Sequence, residues 1–437
     1  MTYDPAFQLR IYEMLMASQY WPPAELHAYQ NQQMFQLLRF AHSKVPFYRA
    51  PLARVLNDDG SINQDRWADV PILTRDHLVN NREDMLAPEL PPGHGYVDDH
   101  LGSGSTGKPV VSRHNALMPV VSNTALFRAF AWHGFDYSQN FCAIEGNDPR
   151  AGSWPEGSRG DPWAPHWETA AGGHFYNVNR NVSNENIVEF LIRKNIKYLS
   201  GRPSKLHAVA LAAEREGRHT PLQAMVALGE TISDTTREDC RRAMGVEIMG
   251  LYASKEVYNI AHQCNLCGGY HVNAEMLLFE VLKDNGEPAK PGELGRAIIT
   301  SFFNTAQPFI RYDQGDLIVL GDPKKCARRL PVIETILGRT NHLFRFPGGR
   351  KVGTTLPAKH MGILAARSWQ LAQVEDLAIE VRYIPDGSGR APDFDFIRDL
   401  VIARTDPRVA VKFKEISELP LTSSGKFIEV ICELPPA

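Results

Sequence analysis

The spacing of hydrophobic and polar positions predicts a chain in which helices and strands alternate. Residues 23–45 begin with a proline and then carry apolar side chains at near-helical spacing, which predicts an amphipathic helix. Residues 196–200 are typical of a strand and residues 204–213 of the helix after it, so that the two form an α/β unit. The same patterns predict further strands at 110–112, 246–252, 277–282, 297–303, 377–383 and 411–416, and a helix at 393–403.

Two features indicate how the chain is organised: an irregular segment, and a point at which the pattern of strands and helices begins again. Residues 134–181 contain many glycines, prolines and aromatic residues, and we interpret them as loops that line a site. Beyond Gly338 the pattern of strands and helices begins again, which predicts a domain boundary at Gly338-Arg339. Because 437 residues exceed one ordinary hydrophobic core, two or more domains are expected.

Composition and charge narrow the class of protein. With 43% hydrophobic and 22% charged residues the chain is typical of a soluble globular protein, and a formal net charge of −3 indicates neither a nucleic-acid partner nor a membrane surface. The N-terminus has no apolar run, and no stretch is long and apolar enough to span a membrane, so that no signal peptide or membrane partner is expected. Six cysteines in a chain of this length do not make a disulfide scaffold, and a cytoplasmic location is expected.

The candidate chemistry begins with a glycine-rich segment at 101–110, Leu-Gly-Ser-Gly-Ser-Thr-Gly-Lys-Pro-Val. Backbone N–H groups freed by glycines, short hydroxyls and one ammonium are suited to binding a polyphosphate. Gly102 and Gly107-Lys108 match the core of a Walker phosphate loop, but Pro109 stands where that loop needs a Ser or Thr to hold Mg²⁺. The segment is therefore either a nucleotide-phosphate loop of another kind or a flexible connector.

Further motifs follow this loop in a fixed order. They are Gly229-Glu230 ahead of a strand, Tyr-Ala-Ser-Lys-Glu at 252–256, Arg-Tyr-Asp-Gln-Gly-Asp at 311–316 with Gly338-Arg339 after it, and Pro-Leu-Thr-Ser-Ser-Gly-Lys at 420–426. Each motif is weak alone, since a strand end, a turn aspartate and an exposed lysine are common features. The presence of all of them in order along one chain is not easily accidental.

With these motifs the chain resembles the adenylate-forming superfamily of acyl-CoA synthetases, peptide-synthetase adenylation domains and luciferases. It resembles the branch of phenylacetate–CoA ligases more closely, through residues 35–49, 70–78 and 200–204. The resemblance covers essentially the entire chain. It implies an α/β fold with a large N-terminal domain of mixed sheets and helices, residues 1–338, that binds AMP and the acyl group. A small, mobile α+β C-terminal domain would follow at residues 339–437.

The resemblance also implies a role for each motif residue. The loop would hold the β- and γ-phosphates of ATP, Glu256 would hold Mg²⁺, and Asp316 and Arg339 would bind the ribose. Lys426 would be the catalytic residue, because it would reach the bond that forms between the substrate carboxylate and the α-phosphorus. The implied loop residues are Ser103, Gly104, Ser105, Thr106, Gly107 and Lys108, and those around the adenine are Gly229, Glu230, Tyr252 and Ala253.

Two positions depart from the family pattern. Lys255 stands where the family has a threonine near the α-phosphate, and it either adds a cation there or faces solvent. Asn341 occupies the hinge position, where the family has an acidic residue. The hinge is still expected at Asn341, but its charge differs from that of the family.

The implied reaction is the AMP-forming activation of a carboxylic acid by ATP, followed by transfer of the acyl group to coenzyme A, which is the work of an acid–thiol ligase. A carrier-protein thiol or an amine, used by a stand-alone adenylating enzyme, stays open as the acceptor of the acyl group. A homodimer stays open as the oligomeric state. Pro109 disfavours a P-loop NTPase, and Glu256, Asp316 and Lys426 together disfavour a non-catalytic protein.

The resemblance to the branch of phenylacetate–CoA ligases and a group of aromatic residues both favour an aromatic acid as the substrate. These residues lie in and beside the irregular segment, where some of them would line an apolar slot for an aryl ring. Packing in a loop-rich core is the alternative for most of them. The group comprises Trp132, Phe135, Trp154, Trp163, Trp167, Phe175 and Tyr176.

A metal site is the remaining candidate. Cys264, Cys267 and His271, with Cys326 further on, have the ligand types and the spacing of a zinc site. Some members of the resembled branch carry a structural metal between a Cys/His segment here and a cysteine pair before the hinge. Lys324 replaces one cysteine of that pair, and Cys267 would supply the missing thiolate. Four protein ligands would make the zinc structural, and three reduced cysteines beside a hydrogen-bonded histidine are the alternative.

Overall fold

The computed structural model describes residues 4–57, 59, 61–102, 110–145, 152–160, 162–168, 171–339, 343–352, 363–418, 420 and 427–434. The chain forms two compact units. The first consists of Met1–Ser138, Ala164–Gly172 and Met249–Ile336, and the second of Gln139–Trp163, Gly173–Ile248 and Leu337–Ala437. Among the helices of the described ranges, none is both long and apolar enough to cross a membrane.

The helices and strands are numbered in chain order. The helices are α1 (Pro5–Ser18), α2 (Pro23–Lys44), α3 (Arg49–Leu52), α4 (Arg75–Asn80), α5 (Leu117–Trp132), α6 (Asn184–Arg193), α7 (Pro203–Arg215), α8 (Asp234–Met244) and α9 (Phe394–Arg404). The strands of the first two thirds of the chain are β1 (Val97–Leu101), β2 (Val111–Asn115), β3 (Asn140–Glu145), β4 (Ser158–Arg159), β5 (Phe175–Asn179), β6 (Ile196–Gly201), β7 (Ala224–Leu228), β8 (Glu247–Ser254), β9 (Tyr258–Gln263), β10 (Tyr270–Val272), β11 (Leu277–Leu282) and β12 (Leu294–Ser301). The later strands are β13 (Tyr312–Leu320), β14 (Val332–Arg339), β15 (Phe344–Phe346), β16 (Arg350–Val352), β17 (Ala366–Glu375), β18 (Ala378–Pro385), β19 (Ala410–Glu415) and β20 (Val430–Cys432).

The first unit combines a sheet of mostly antiparallel strands with the N-terminal helices. Its strands follow the order β11-β12-β13-β14-β10-β9-β8, and β1 and β2 form a separate hairpin. This unit contains a fully buried ion pair, in which Arg128 of α5 donates to Glu275 across 2.7 Å. Arg128 also donates to the carbonyl of Leu15 in α1, so that one buried guanidinium joins these helices to the strand region.

The second unit contains a largely parallel sheet in the order β7-β6-β3-β5-β4. Its helices begin at capping residues: the Ser183 side chain accepts from the N–H of Asn186 in α6, and the Ser233 side chain accepts from that of Thr236 in α8. Helix α7 differs, because its N-cap residue Arg202 makes no capping hydrogen bond with its side chain. Pro203 opens this helix, as proline does at first helical positions.

The C-terminal part of the second unit has a sheet and a core of its own. Its strands follow the order β19-β18-β17-β20. Asp393 caps helix α9, and its side chain accepts from the N–H of Phe396. The core is built from buried apolar residues of the strands and of α9, among them Phe344, Trp369, Leu371, Ile379, Val381, Ile397 and Val401.

The predicted elements are largely confirmed, but residues 134–181 are more regular than we expected. Strands β3 and β5 lie inside this segment, and β3 occupies the middle of the parallel sheet in the second unit. Strand β3 is a short apolar run without alternation, which is typical of a strand that is buried on both faces. Such a run is hard to recognise in a sequence when glycines, prolines and polar residues lie on both sides of it.

Candidate functional site

Part of the predicted site lies outside the described residues. This applies to the predicted loop residues Ser103, Gly104, Ser105, Thr106, Gly107 and Lys108, to the predicted hinge residue Asn341 and to the predicted catalytic residue Lys426. The structure describes the other predicted residues, and it describes the residues next to the glycine-rich loop and next to Lys426.

The hairpin of β1 and β2 brings the two ends of the glycine-rich loop together. The Gly102 N–H donates to the Val110 carbonyl across 2.7 Å, directly before and after the loop. A Cβ on Gly102 would lie 3.0 Å from that carbonyl oxygen and 3.8 Å from Oε1 of Glu256. The Val110 carbonyl leaves little room for a side chain at position 102, and the buried carboxylate that we predicted to hold Mg²⁺ lies within van der Waals distance of the same position.

Tyr252 and Asp316, both predicted nucleotide residues, contact each other inside the first unit. Tyr252 lies on β8 and Asp316 on β13, and the phenolic hydroxyl donates to Oδ2 of the carboxylate across 2.7 Å. Tyr252 is buried and Asp316 is half-buried. Because an ionised carboxylate accepts stronger hydrogen bonds than a neutral oxygen does, this bond holds the Asp316 side chain in one orientation.

Glu230 lies in the second unit and accepts hydrogen bonds from two distant backbone groups. It follows Gly229, whose φ of 85° lies in the region that favours glycine. Its Oε2 accepts from the N–H of Ser204 at 3.1 Å, and its Oε1 accepts from the N–H of Phe427 at 3.2 Å. Phe427 is the residue after Lys426, so this contact ties Glu230 to the segment that carries the predicted catalytic lysine.

The other predicted nucleotide residues lie on strands. Ala253 is on β8 and pairs with Asn259 of β9, while Arg339 is the last residue of β14 and is half-buried. Lys255 follows β8, and its side chain is exposed.

The predicted zinc residues form a cluster in the first unit. One ligand atom from each of Cys264, Cys267, His271 and Cys326 lies within 4.8 Å of the others. The sulfurs of Cys264 and Cys326 are 3.8 Å apart, and Nε2 of His271 is 3.2 Å from Sγ of Cys326. Two thiolates that bind one tetrahedral Zn²⁺ at about 2.3 Å would be about 3.8 Å apart. The donor set and its spacing therefore fit zinc.

Neighbouring groups orient His271 and favour the thiolate form of Cys264, whereas burial raises the pKa of the Cys267 thiol. His271 is paired through Nδ1 with the Leu330 carbonyl at 3.1 Å, which leaves Nε2 turned toward the sulfurs. Arg328 donates to Sγ of Cys264 at 2.9 Å while its guanidinium carbon lies 4.4 Å from the ring centroid of Trp132. Burial raises the pKa of the Cys264 thiol, but hydrogen bonds from His271 and from backbone N–H groups outweigh burial and lower that pKa below its usual value.

The aromatic residues that we expected beside the acyl group pack against other side chains. Trp167 contacts Tyr12 and Phe127 in the first unit, and Trp163 contacts Phe141 and Tyr198 in the second. The remaining contacts are Trp132 with Arg128 and Arg328, Phe135 with Phe130, Trp154 with Arg193, Phe175 with Phe141, and Tyr176 with Phe190. These contacts favour the packing interpretation for most of the group.

Sequence reasoning missed the contact of Glu230 with Ser204 and Phe427. One local signal pointed to part of it. An arginine at the N-cap of α7 supplies no acceptor for the first N–H groups of the helix, so an acceptor from elsewhere is needed. The carboxylate of Glu230 is that acceptor for Ser204. The partner at Phe427 had no signal in the sequence.

Several known proteins with a similar sequence or fold are CoA ligases. No family model matches the chain. A phenylacetate–coenzyme A ligase from Thermus thermophilus is 23% identical over 384 residues, which span 82% of each protein. A crystal structure of 2-hydroxyisobutyryl-CoA ligase, in the postadenylation state with 2-HIB-AMP, matches with a TM-score of 0.74 at 17% identity, over 95% of this chain and 93% of that one.

A second solved structure agrees with this fold. A crystal structure of an anthranilate CoA ligase in complex with anthranoyl-AMP has a TM-score of 0.52 at 16% identity and covers 81% of this chain and 76% of that one. These likenesses confirm the predicted α/β fold with a C-terminal domain.

Proposed function

We propose a function from the premise that this chain belongs to the adenylate-forming superfamily, in the branch of the phenylacetate–coenzyme A ligases. The protein is an AMP-forming acid–thiol ligase. A carboxylate oxygen of the substrate attacks the α-phosphorus of ATP and pyrophosphate leaves, which gives an acyl adenylate. The sulfur of coenzyme A then attacks the acyl carbon, AMP leaves, and the thiol proton passes to solvent. The observation that carries this function is the hydrogen bond between Tyr252 and Asp316, two motif residues that are 64 positions apart.

The described motif residues have the chemistry that ATP needs. Asp316 would accept hydrogen bonds from the ribose hydroxyls and Arg339 would help to bind the ribose. Gly229, Glu230, Tyr252 and Ala253 would flank the adenine. Residues 103–108 would hold the β- and γ-phosphates. Glu256 would hold Mg²⁺, which when bound neutralises phosphate charge. The closeness of Glu256 to Gly102, directly before the loop, supports this assignment.

Lys426 would stabilise the charge that develops at the α-phosphorus, which is the main catalytic demand of this displacement. The C-terminal domain, residues 339–437, would then turn about Asn341 and carry the lysine away, so that the thiol gains access. The separate core of the C-terminal sheet supports such a domain.

The substrate that we propose is an aromatic acid and the acceptor is coenzyme A. The sequence relative that spans most of the chain is a phenylacetate–coenzyme A ligase, which supports both choices. A carrier-protein thiol and an amine are the other acceptors that the test distinguishes. All six cysteines are free, which supports a cytoplasmic location.

We also propose a structural zinc at Cys264, Cys267, His271 and Cys326. The close spacing of the four ligand atoms and the charge of Arg328 beside Cys264 support it. Metal analysis of protein that was purified without chelators tests this assignment. One equivalent of zinc is expected, and less than about half an equivalent would refute the site.

ATP–pyrophosphate exchange tests the function. Aryl, arylacetic and short aliphatic acids are screened one by one with ATP and Mg²⁺, and coenzyme A is then added to the best acid. We expect exchange with an aromatic acid and, after the addition, a thioester. Exchange without thioester would move the acceptor to a carrier protein or an amine, and exchange with aliphatic acids alone would overturn the aromatic assignment.

A further inference from the structure

The carboxylate of Glu230 joins the beginning of α7 to the C-terminal segment. Oε2 accepts from the N–H of Ser204 in the first turn of α7 at 3.1 Å, and Oε1 accepts from the N–H of Phe427 at 3.2 Å. All of these residues belong to the second unit. One negative charge therefore serves two backbone donors that are 26 and 197 residues away in the sequence.

The first of these contacts has a structural reason. The first N–H groups of a helix lack partners within the helix, and the helix dipole favours a negative charge near them. Arg202 at the N-cap makes no capping hydrogen bond with its side chain, and Glu230 takes over that task for Ser204. Capping of α7 alone, however, would need only one carboxylate oxygen.

The second contact lies in a segment that is fixed on its other side as well. The Ile428 carbonyl accepts from the Gln370 side chain at 2.7 Å, and the Glu429 carbonyl accepts from the N–H of Leu371 at 2.8 Å. Strand β20 then pairs with β17, beginning with Val430 opposite Leu371. The residues after position 426 are thus held by the C-terminal sheet on one side and by Glu230 on the other.

We propose that Glu230 is a positioning residue for Lys426. It holds the N–H of Phe427, and therefore the chain directly after the lysine, while the acid attacks the α-phosphorus of ATP. This role goes beyond the contact with adenine that the family motif implies, and it rests on the proposed function. Transfer of the acyl group to coenzyme A, for which the lysine leaves, does not need the Phe427 contact.

The consequence is a selective effect on one half-reaction. In Glu230→Gln the side chain has only one acceptor oxygen, so that one of the two N–H groups faces an NH₂ donor instead. The loss of a hydrogen bond to a charged group slows a step that depends on it by about 10- to 100-fold. If Glu230 served only to cap α7, both half-reactions would change together with stability.

The experiment measures the half-reactions separately in Glu230→Gln and in Glu238→Gln, which removes the same charge from an exposed position of α8. One assay is ATP–pyrophosphate exchange at saturating ATP, and the other is thioester formation from supplied acyl adenylate and coenzyme A. We expect exchange to fall about 10- to 100-fold in Glu230→Gln while thioester formation stays within about twofold. Glu238→Gln should match the wild type in both assays.

A second pair of variants tests the same contact if Glu230→Gln does not fold. Phe427→Pro removes the N–H that Glu230 accepts but leaves the contact with Ser204, and Phe427→Ala keeps that N–H. Exchange should fall in the proline variant and not in the alanine variant. Normal exchange in Glu230→Gln and in Phe427→Pro, or an equal loss in both half-reactions, would overturn the positioning role while the function stands. No exchange by the wild type with any acid would overturn the function and the role together.

Discussion

The phenolic hydroxyl of Tyr252 donates a hydrogen bond of 2.7 Å to Oδ2 of Asp316. The two residues come from separate motifs, on β8 and β13 of one sheet. Tyr252 is buried, so its ring is fixed by packing and its hydroxyl in turn orients the carboxylate. The ribose-binding role that we propose for Asp316 needs such support, because its two oxygens would have to meet two hydroxyl groups at once.

Removal of this hydroxyl should weaken the binding of ATP. In Tyr252→Phe the ring stays in place but the hydrogen bond to Asp316 is lost, and we expect the KM for ATP to rise about tenfold with kcat changed less than twofold. Exchange kinetics at varied ATP measure both constants. Tyr96→Phe, at an exposed tyrosine of the same unit, is the control. An unchanged KM in Tyr252→Phe would contradict the role of this contact.

Arg328 should strengthen the binding of zinc. Its guanidinium donates to Sγ of Cys264 and opposes the negative charge of three thiolates. We expect Arg328→Met to lower the zinc affinity about 10- to 100-fold, as is usual when a group next to a metal ligand is removed. Competition with a chromophoric chelator measures the affinity, and Arg329→Met at the exposed neighbouring position is the control. Equal affinities in the two variants would contradict this role of Arg328.

The buried pair of Arg128 and Glu275 should be costly to break and less costly to replace. Both side chains are fully buried, and Arg128 donates across 2.7 Å to Glu275. Arg128→Met leaves an unpaired buried carboxylate, so we expect the free energy of unfolding in urea to fall by about 3–5 kcal/mol. Arg128→Met combined with Glu275→Leu should recover much of that loss, because no buried charge remains. If the double variant is no more stable than Arg128→Met, this explanation is wrong.

Glu429 should make stability depend on pH. Desolvation of its carboxyl, and next the charge of Asp234, raise its pKa to about 7. The folded protein therefore binds this proton more tightly than the unfolded chain, in which the pKa is about 4.3. The stability that comes from this group is present below pH 4 and is lost as the pH rises toward 7.

Replacement of Glu429 tests this pH dependence. Glu429→Gln cannot ionise, so we expect it to raise the midpoint of thermal unfolding at pH 8, with a gain that shrinks as the pH falls toward 4. Glu418→Gln, at an exposed position nearby in the sequence, is the control and should have little effect at either pH. A gain that does not vary with pH would contradict the raised pKa.

Local patterns predicted much of the fold. The strand predicted at 277–282 is β11 (Leu277–Leu282), and the helix predicted at 393–403 differs by one residue at each end from α9 (Phe394–Arg404). Strand β3 was missed because it is short, buried and without alternation, so that the loop-like residues around it dominated the pattern.

The candidate site was predictable only as separate motifs. The sequence identified Tyr252, Asp316 and Glu230 one at a time, and it could not show which of them touch. The contact of Glu230 with Phe427 spans 197 positions, and its donor is a backbone N–H that every residue except proline possesses. Such a contact arises from the tertiary fold, and the types of the residues in the sequence do not indicate it.

The most direct test of the central claim is ATP–pyrophosphate exchange by the wild type and by Lys426→Ala. Lys412→Ala, at an exposed position of β19, removes a lysine from the same domain and is the control. We predict exchange by the wild type with an aromatic acid, full exchange by the control, and a loss of about 100- to 1,000-fold in Lys426→Ala, since one fixed cation at the developing charge is missing. Exchange in Lys426→Ala that equals that of the wild type would contradict the account.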